Sequence, residues 1–305
     1  MLLNHVSHEI EFSHPGMLPS FNFGQEAVIL FFLVSGFVIT YSFLSKTNRS
    51  FGRFLFDRIT RIYVPLVPAI TLAWLVASYQ DGQFRSIDIG TLAGNLFMLQ
   101  DIPSLKPGVI ARPWMDNSPL WSLSYEWWFY MLFFLSFIAQ DSWRHRTFTV
   151  IAVGILAAAA YPFYPHWVLR VLFYLPLWWL GAVFALQHLG HDEARGFVKA
   201  TIVGIFPIIG SRAHRAWGQI AGGETRGLGV HPLLEIRHLS SGLVLTLFAL
   251  VWRRIGWIGY GLLLRPFALI APISYAIYIV HKPLLGLVRP LSTEIGFAAS
   301  CGLAL

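Results

Sequence analysis

The sequence predicts an all-α protein, a polytopic transmembrane bundle of about ten helices, the first and last of them truncated. Two observations carry this. Of the 305 residues, 56% are hydrophobic and 12% charged, with a mean hydropathy of +0.60, whereas about a quarter of the residues of a soluble domain are charged. The apolar residues also run in long continuous stretches without the alternation of a transmembrane β-barrel, which excludes that class. The formal charge of +7 comes from basic residues in separate short loops, so it is read through the positive-inside rule and gives no support to nucleic-acid binding. The single Cys301 can form no intrachain disulfide.

Taken in order, Met1-Leu2-Leu3 is too short to span and runs straight into the polar Asn4-His5-Val6-Ser7-His8-Glu9. No secretory signal is expected there, and the chain is expected to open at the end of a helix. Residues 295–305 (IGFAASCGLAL) repeat this at the other end, and the whole of 1–305 reads as one membrane-embedded domain. Residues 23–44 are the first full span, in which Gly24 and Gly36 allow close helix contact. Lys46, Arg49, Arg53, Arg58 and Arg61 against Asp57 place the next segment in the cytoplasm and residues 1–22 outside. Residues 62–78 return outward, with Pro65 and Pro68 expected in the first turns, where a missing N–H is tolerated. Residues 89–99 are too short to cross and read as a re-entrant or interfacial piece, because a span there would put Arg144 and Arg146 outside.

The connection 101–118 leads into the apolar stretch 119–140, and the basic loop 141–146 follows inside. Residues 148–161 and 168–186 form a hairpin joined at 162–165. Residues 201–209 and 239–251 are short apolar runs separated by 211–238, a Gly- and Arg-containing loop with no amphipathic period. Arg253 and Arg254 restore a cytoplasmic loop, and 267–288 is the last complete helix. No repeat period is present.

The stretch 119–140 (PLWSLSYEWWFYMLFFLSFIAQ) sets Glu126 among Trp121, Tyr125, Trp127, Trp128 and Tyr130. An ionisable side chain in a membrane helix is costly unless it faces a wet cavity or a partner, so Glu126 is a functional candidate. The alternative is a carboxylate that pairs with an arginine or caps a helix. Ser122, Glu126 and Phe129 share a face. A second constellation is His5, with His8, His14, Glu9 and Glu11 close by. A histidine at the outer end of a helix titrates near neutrality and can act as general base, or can be a solvated juxtamembrane side chain. A metal site from His5 and His8 lacks a clear third ligand. The third is Arg58 and Arg61, with Arg53 and Lys46, which can hold the phosphates of a nucleotide-like donor or anchor the chain on anionic lipid. The fourth is Ser274, Tyr278 and His281, which share a helix face beside Tyr275 and could line a cavity or form an interfacial belt.

Five segments in this order, Asn4-His5, FGQEAVILFFLVSGFVIT (23–40), RFLFDRITRIYVP (53–65), WSLSYEWWFY (121–130) and ISYAIYIVH (273–281), resemble the acyltransferase-3 family of integral membrane acyltransferases, which includes O-antigen, exopolysaccharide and peptidoglycan O-acetylases. The resemblance covers nearly the whole chain. It implies that His5 is the catalytic histidine, although the arginine that the family places ten residues earlier would fall before Met1. It implies that Arg58 and Arg61 handle the acyl donor, that Glu126 is the acidic residue of the WSL-containing segment, and that Tyr275 and His281 belong to the late SY…H segment. Arg53, Ser124 and Tyr278 join these as expected donor- or substrate-binding residues, with His5 and Glu126 the expected catalytic residues. The segment 211–238 does not match the family pattern and reads as a lineage insertion.

The residues and the resemblance together lead to an O-acyltransferase of the bacterial cytoplasmic (inner) membrane. It is expected to move an acyl group, acetyl by family default, from cytoplasmic acyl-CoA as co-substrate to a hydroxyl of a cell-surface or exported carbohydrate. Membrane lipid, the carbohydrate acceptor and acyl-CoA are the expected partners, with no nucleic acid, no bound cofactor and no metal. The rival is a transporter of a glycolipid or small solute, since charges inside bundles also mark translocation paths.

Overall fold

The computed structural model describes residues 23–222, 229–263, 265, 269 and 273–295. The expectations for His5, His8, His14, Cys301 and the terminal apolar pieces lie outside these. Among the described residues there are ten α-helices and no β-strand: α1 (Gly24–Leu44), α2 (Phe51–Gln80), α3 (Ile89–Leu96), α4 (Leu120–Ala139), α5 (Trp143–Ala160), α6 (Trp167–His188), α7 (Ala194–Ala221), α8 (Leu233–Arg254), α9 (Tyr260–Leu263) and α10 (Ser274–Ile295). Five of them, α1, α2, α6, α7 and α8, are long and apolar enough to cross a membrane. By the positive-inside rule, the end of the bundle that carries Lys46, Arg49, Arg144 and Arg253 is the cytoplasmic one.

Helix α6 is apolar on every side apart from Arg170 and its last turn, and is buried along nearly its whole length, as such a helix must be. Packed around it are α1, α5 and α7, with α8 closing the ring between α1 and α7, and α10 lies along α2. Two glycines allow α1 and α6 to touch backbone to backbone. A Cβ on Gly36 would stand 2.1 Å from the Trp178 carbonyl oxygen, and one on Gly181 would stand 2.0 Å from that of Leu33. Small residues are what membrane helices need for such an approach. Gly36→Ala should therefore force the pair apart and cost about 1–3 kcal/mol or more. Gly196→Ala, at a position with nothing within 4 Å, should instead stabilise α7 by about 0.5–1 kcal/mol. Thermal unfolding of the two purified variants reads both signs, and equal effects would show that the close contact is not formed.

Helix α4 meets its neighbours through aromatic rings. Phe129 stands edge-on to Phe32 at 5.3 Å, Phe133 edge-on to Phe43 at 5.6 Å, and Phe133 packs on Trp178 at 5.6 Å.

Several boundaries differ from the sequence expectation. Helix α2 begins at Phe51, about three turns before the expected span, because Phe54 packs on Phe134 at 5.1 Å and on Phe43 at 5.7 Å, which gives the basic segment an apolar face. Pro65 and Pro68 consequently lie inside a 30-residue helix and not in its first turns. Helix α5 begins at Trp143, where the Ser142 hydroxyl accepts from the His145 N–H at 3.2 Å, a standard N-cap. The segment 211–238, expected as a loop, is mostly the end of α7 and the start of α8. The expected interfacial piece after residue 88 is α3, eight residues long and capped by Asp88, whose carboxylate accepts from the Gly90 and Thr91 N–H groups.

Candidate functional site

The second turn of α4 places Glu126, 2% exposed, against the middle of α1. Ser35 Oγ donates to Glu126 Oε1 at 2.9 Å, and the Tyr130 hydroxyl, one turn further along α4, donates to the same oxygen. The Ser35 and Tyr130 hydroxyls are 3.2 Å apart, and Trp178 Nε1 on α6 donates to Ser35 Oγ at 3.3 Å. From α2, the Arg58 guanidinium lies over the Tyr130 ring at 5.5 Å and the Phe54 ring at 5.7 Å. Both Arg58 and Arg61 are close enough to Glu126 to act on it electrostatically. Tyr275 on α10 senses the same carboxylate. Glu126 is thus neither a helix cap nor, among the described residues, half of a direct ion pair. It is a buried hydrogen-bond acceptor where α1, α2, α4 and α10 converge.

Two donors in this neighbourhood have no hydrogen-bond partner among the described residues: buried Arg58 Nε and the Tyr275 hydroxyl. Unengaged donors in a site that excludes water suit a carbonyl or phosphate oxygen. Below them, at the cytoplasmic end, Lys46, Arg53, Asp57 and Arg58 line a cleft with Ile39 and Phe43. There Asp57 pairs with Lys46 and, at 3.4 Å, with Arg53. Arg53 and Arg61 are exposed and Arg58 is half-buried; Arg61 and Arg58 both act on Glu126, and Arg58 also packs on the Tyr130 ring beside it.

Other expected residues fall elsewhere. The buried Ser124 hydroxyl donates to the Gln100 and Trp121 carbonyls at 2.7 and 2.8 Å, on the face of α4 away from Glu126. Tyr278 and His281 form an outer patch. The Tyr278 hydroxyl is 2.7 Å from Ser122 Oγ and donates to the Pro119 carbonyl at 2.9 Å, and His281 Nδ1 is 2.6 Å from the Tyr278 carbonyl. Asn117 Nδ2 donates to the Ile279 carbonyl at 2.8 Å, which pins α10 to the start of α4. The expectation for His5 lies outside the described residues. Among the described residues, no three His, Cys, Asp or Glu side chains are grouped as for a metal ion.

Sequence reasoning missed a buried ionic lattice near the outer end of the bundle. Asp101 Oδ2 accepts from the Tyr125 hydroxyl at 2.5 Å and Arg170 Nε at 3.1 Å, while Oδ1 accepts from Lys106 Nζ at 3.0 Å. Lys106 Nζ also sits 3.6 Å over the Trp121 ring. Arg170 Nη1 reaches the Pro107 carbonyl at 2.5 Å and the Tyr161 hydroxyl at 2.6 Å. Burial alone would push the Asp101 carboxyl up, but Lys106 and Arg170 hold it below the usual carboxylate range. Burial pulls the Lys106 ammonium down to about 8, with Asp101 opposing.

Beside this lattice, His238 Nε2 meets Gln25 Oε1 at 3.0 Å and Nδ1 meets the Tyr174 hydroxyl at 2.7 Å, with the ring stacked on Trp121. With the amide oxygen so placed, Nε2 carries the proton and Nδ1 accepts. Arg237 grips Glu26 with two hydrogen bonds of 2.6 and 2.8 Å. The sequence signal for the lattice is Arg170, a lone charge within an apolar run.

A family model described as an acyltransferase domain matches residues 1–304 of the chain. No curated protein and no solved structure gives a significant match.

Proposed function

The chain belongs to the acyltransferase-3 family, whose model spans residues 1–304, and from that premise we propose that it moves an acyl group, acetyl by default, from cytoplasmic acyl-CoA to a carbohydrate hydroxyl beyond the bacterial inner membrane. That the protein is a transferase of acyl groups, embedded in a membrane through its long apolar helices, follows from the family and from those helices. The observation that supports the finer reading is the Glu126 cluster. It lies at mid-depth, with Arg58 linking it to the basic cytoplasmic cleft and Tyr275 linking it to the helix that leads outward through Tyr278.

In this mechanism Arg53 and Lys46, at the cytoplasmic cleft, hold the phosphates of the donor, and Arg58 Nε and the Tyr275 hydroxyl, deeper in the bundle, are the donors offered to the thioester carbonyl. The acceptor hydroxyl attacks that carbonyl from the outer side and its proton passes to His5. A new oxygen–acyl bond forms, the sulfur–acyl bond breaks, and the CoA thiolate leaves toward the cytoplasm and takes up a proton. Positioning of the two substrates supplies much of the acceleration in such a transfer. Glu126, through Ser35 and Tyr130, keeps the centre of the bundle in register. Mass spectrometry of surface glycans with and without the gene tests the reading, through loss of one acetyl mass per modified unit. Unchanged glycans, together with no release of CoA by purified protein supplied with acetyl-CoA and glycan, would sink it.

Arg58→Lys keeps the charge and loses the planar fork and its Nε. Donor affinity should fall about tenfold or more, with insertion and expression normal, as measured by equilibrium binding of acetyl-CoA. Unaltered affinity would return Arg58 to lipid anchoring.

A further inference from the structure

A cleft of 280 Å³ lies between residues 103–107, the 161–165 turn and the adjoining ends of α7 and α8, lined by Lys106, Tyr161, Arg212, Arg215, Gln219 and His231. It is at the end of the bundle opposite the basic cytoplasmic loops, and nothing in the transfer mechanism uses it. Around it, among the described residues, are three buried cations, Lys106, Arg170 and Arg212, and two buried carboxylates, Asp101 and Glu235. Asp101 is taken by Lys106 and Arg170. Glu235 Oε1 is taken by His231 Nδ1 at 2.7 Å. One positive charge is left over, and exposed Arg215 at the rim adds another.

Among the described residues Glu235 Oε2 and two nitrogens of Arg212 are left without a hydrogen bond, and of the two side chains it is Arg212 that lines the cleft. It is fully buried, its guanidinium packed on the Tyr161 and Phe173 rings at 4.9 and 5.2 Å. Nη2 donates to Ser211 Oγ at 2.9 Å and to the Ala158 carbonyl, but Nε and Nη1 have no hydrogen-bond partner among the described residues. Gln219 adds a buried amide oxygen, also unpartnered among the described residues. A buried guanidinium with idle donors is costly, and here it forms the wall of an opening. A planar cation held by rings is suited to a carboxylate or phosphate, and a nearby amide oxygen to a sugar hydroxyl.

We propose that this cleft binds an anionic sugar, with its carboxylate or phosphate on Arg212 and Arg215 and a hydroxyl on Gln219, and so selects uronate- or phosphate-bearing acceptor glycans. The identification of the ligand as acceptor rests on the acyl-transfer reading. All three of these side chains come from the outer end of α7.

The test is binding without donor. The full chain in phosphatidylcholine nanodiscs is titrated with glucuronate, inorganic phosphate and glucose while thermal stability is followed, for wild type, Arg215→Gln and Arg212→Lys. Glucuronate and phosphate should stabilise the wild type and glucose should not. Arg215→Gln, at an exposed position that leaves the core intact, should weaken the effect about tenfold, and Arg212→Lys more. No stabilisation by either anion, an equal effect of glucose, or an unchanged response in both variants overturns the proposal. Stabilisation only when phosphatidylglycerol is added to the bilayer overturns it in favour of a lipid headgroup. Since no transfer is read, a failure of the acyl-transfer reading would leave the binding result standing.

Discussion

His5→Ala should lower acyl transfer by about a hundred- to ten-thousand-fold, the usual contribution of a general base, while protein level and donor binding persist. A sugar hydroxyl is a weak acid and a poor nucleophile until a base takes its proton, and histidine is the side chain whose ordinary pKa suits that task near neutrality. His5 precedes the first long helix in the sequence, and it is cast as the base because the resemblance to the family and the loop charges point to it. His8→Ala and His14→Ala share its segment and serve as controls, expected near the wild-type rate. Glu126→Gln should cost less, about ten- to a hundredfold, because the amide oxygen can still accept from Ser35 while the charge-assisted part of the hydrogen bonds is lost. Single-turnover kinetics with acetyl-CoA separate these effects from donor binding. Near-normal transfer by His5→Ala would remove the base assignment and move it to His281, the histidine beside Tyr278 in the outer patch.

The largest effect on stability is expected at a residue with no part in the chemistry. Asp101→Asn leaves Lys106 and Arg170 buried and facing each other without a counter-charge, and breaking a buried ion pair from one side costs about 3–5 kcal/mol. Asparagine keeps the size of the side chain, so the loss is electrostatic and not a packing defect. The variant should unfold at markedly lower temperature or be cleared before it accumulates. Adding Lys106→Met should recover part of the loss, since it removes one of the two stranded cations, and the double variant is then less damaged than the sum of the singles. An unchanged Tm in Asp101→Asn, or strict additivity in the double variant, would show that the lattice is not coupled.

Much of this architecture is readable in the sequence because lipid imposes a simple rule: long apolar runs are helices, and short ones do not cross. That rule found α1, α4 and α6 as long helices and α3 as a short one. It fails where polar side chains face inward and satisfy one another. Arg212, Glu235 and His238 occupy inner faces of α7 and α8 that an apolar period would mark, so both helices read as short. Asp101 and Lys106 sit in a proline-containing connection, and their partner Arg170 is 69 residues from Asp101, a pairing that only the tertiary fold creates. In the Glu126 cluster, the spacing of Glu126 and Tyr130 places them one turn apart on α4. Ser35, beside Gly36 in an apolar run, reads only as a small packing residue until α1 is seen against α4.

The contact of α1 and α6 through Gly36 and Gly181 also bears on which parts of the bundle can yield. With each backbone seated against the other's carbonyl oxygens, the two helices can neither slide nor separate without losing van der Waals contact along both, so mechanically they are one stiff beam. Each of α6 and α7 carries one internal proline, Pro176 and Pro207, but α2 is the more interrupted helix, since Pro65 and Pro68 remove two N–H groups and leave the Arg61 and Val64 carbonyls outside the helix's own hydrogen-bond ladder. The soft joint lies one to two turns beyond Arg58, so a load applied at the cytoplasmic arginines would swing that end of α2 against a Glu126 cluster held still by the beam.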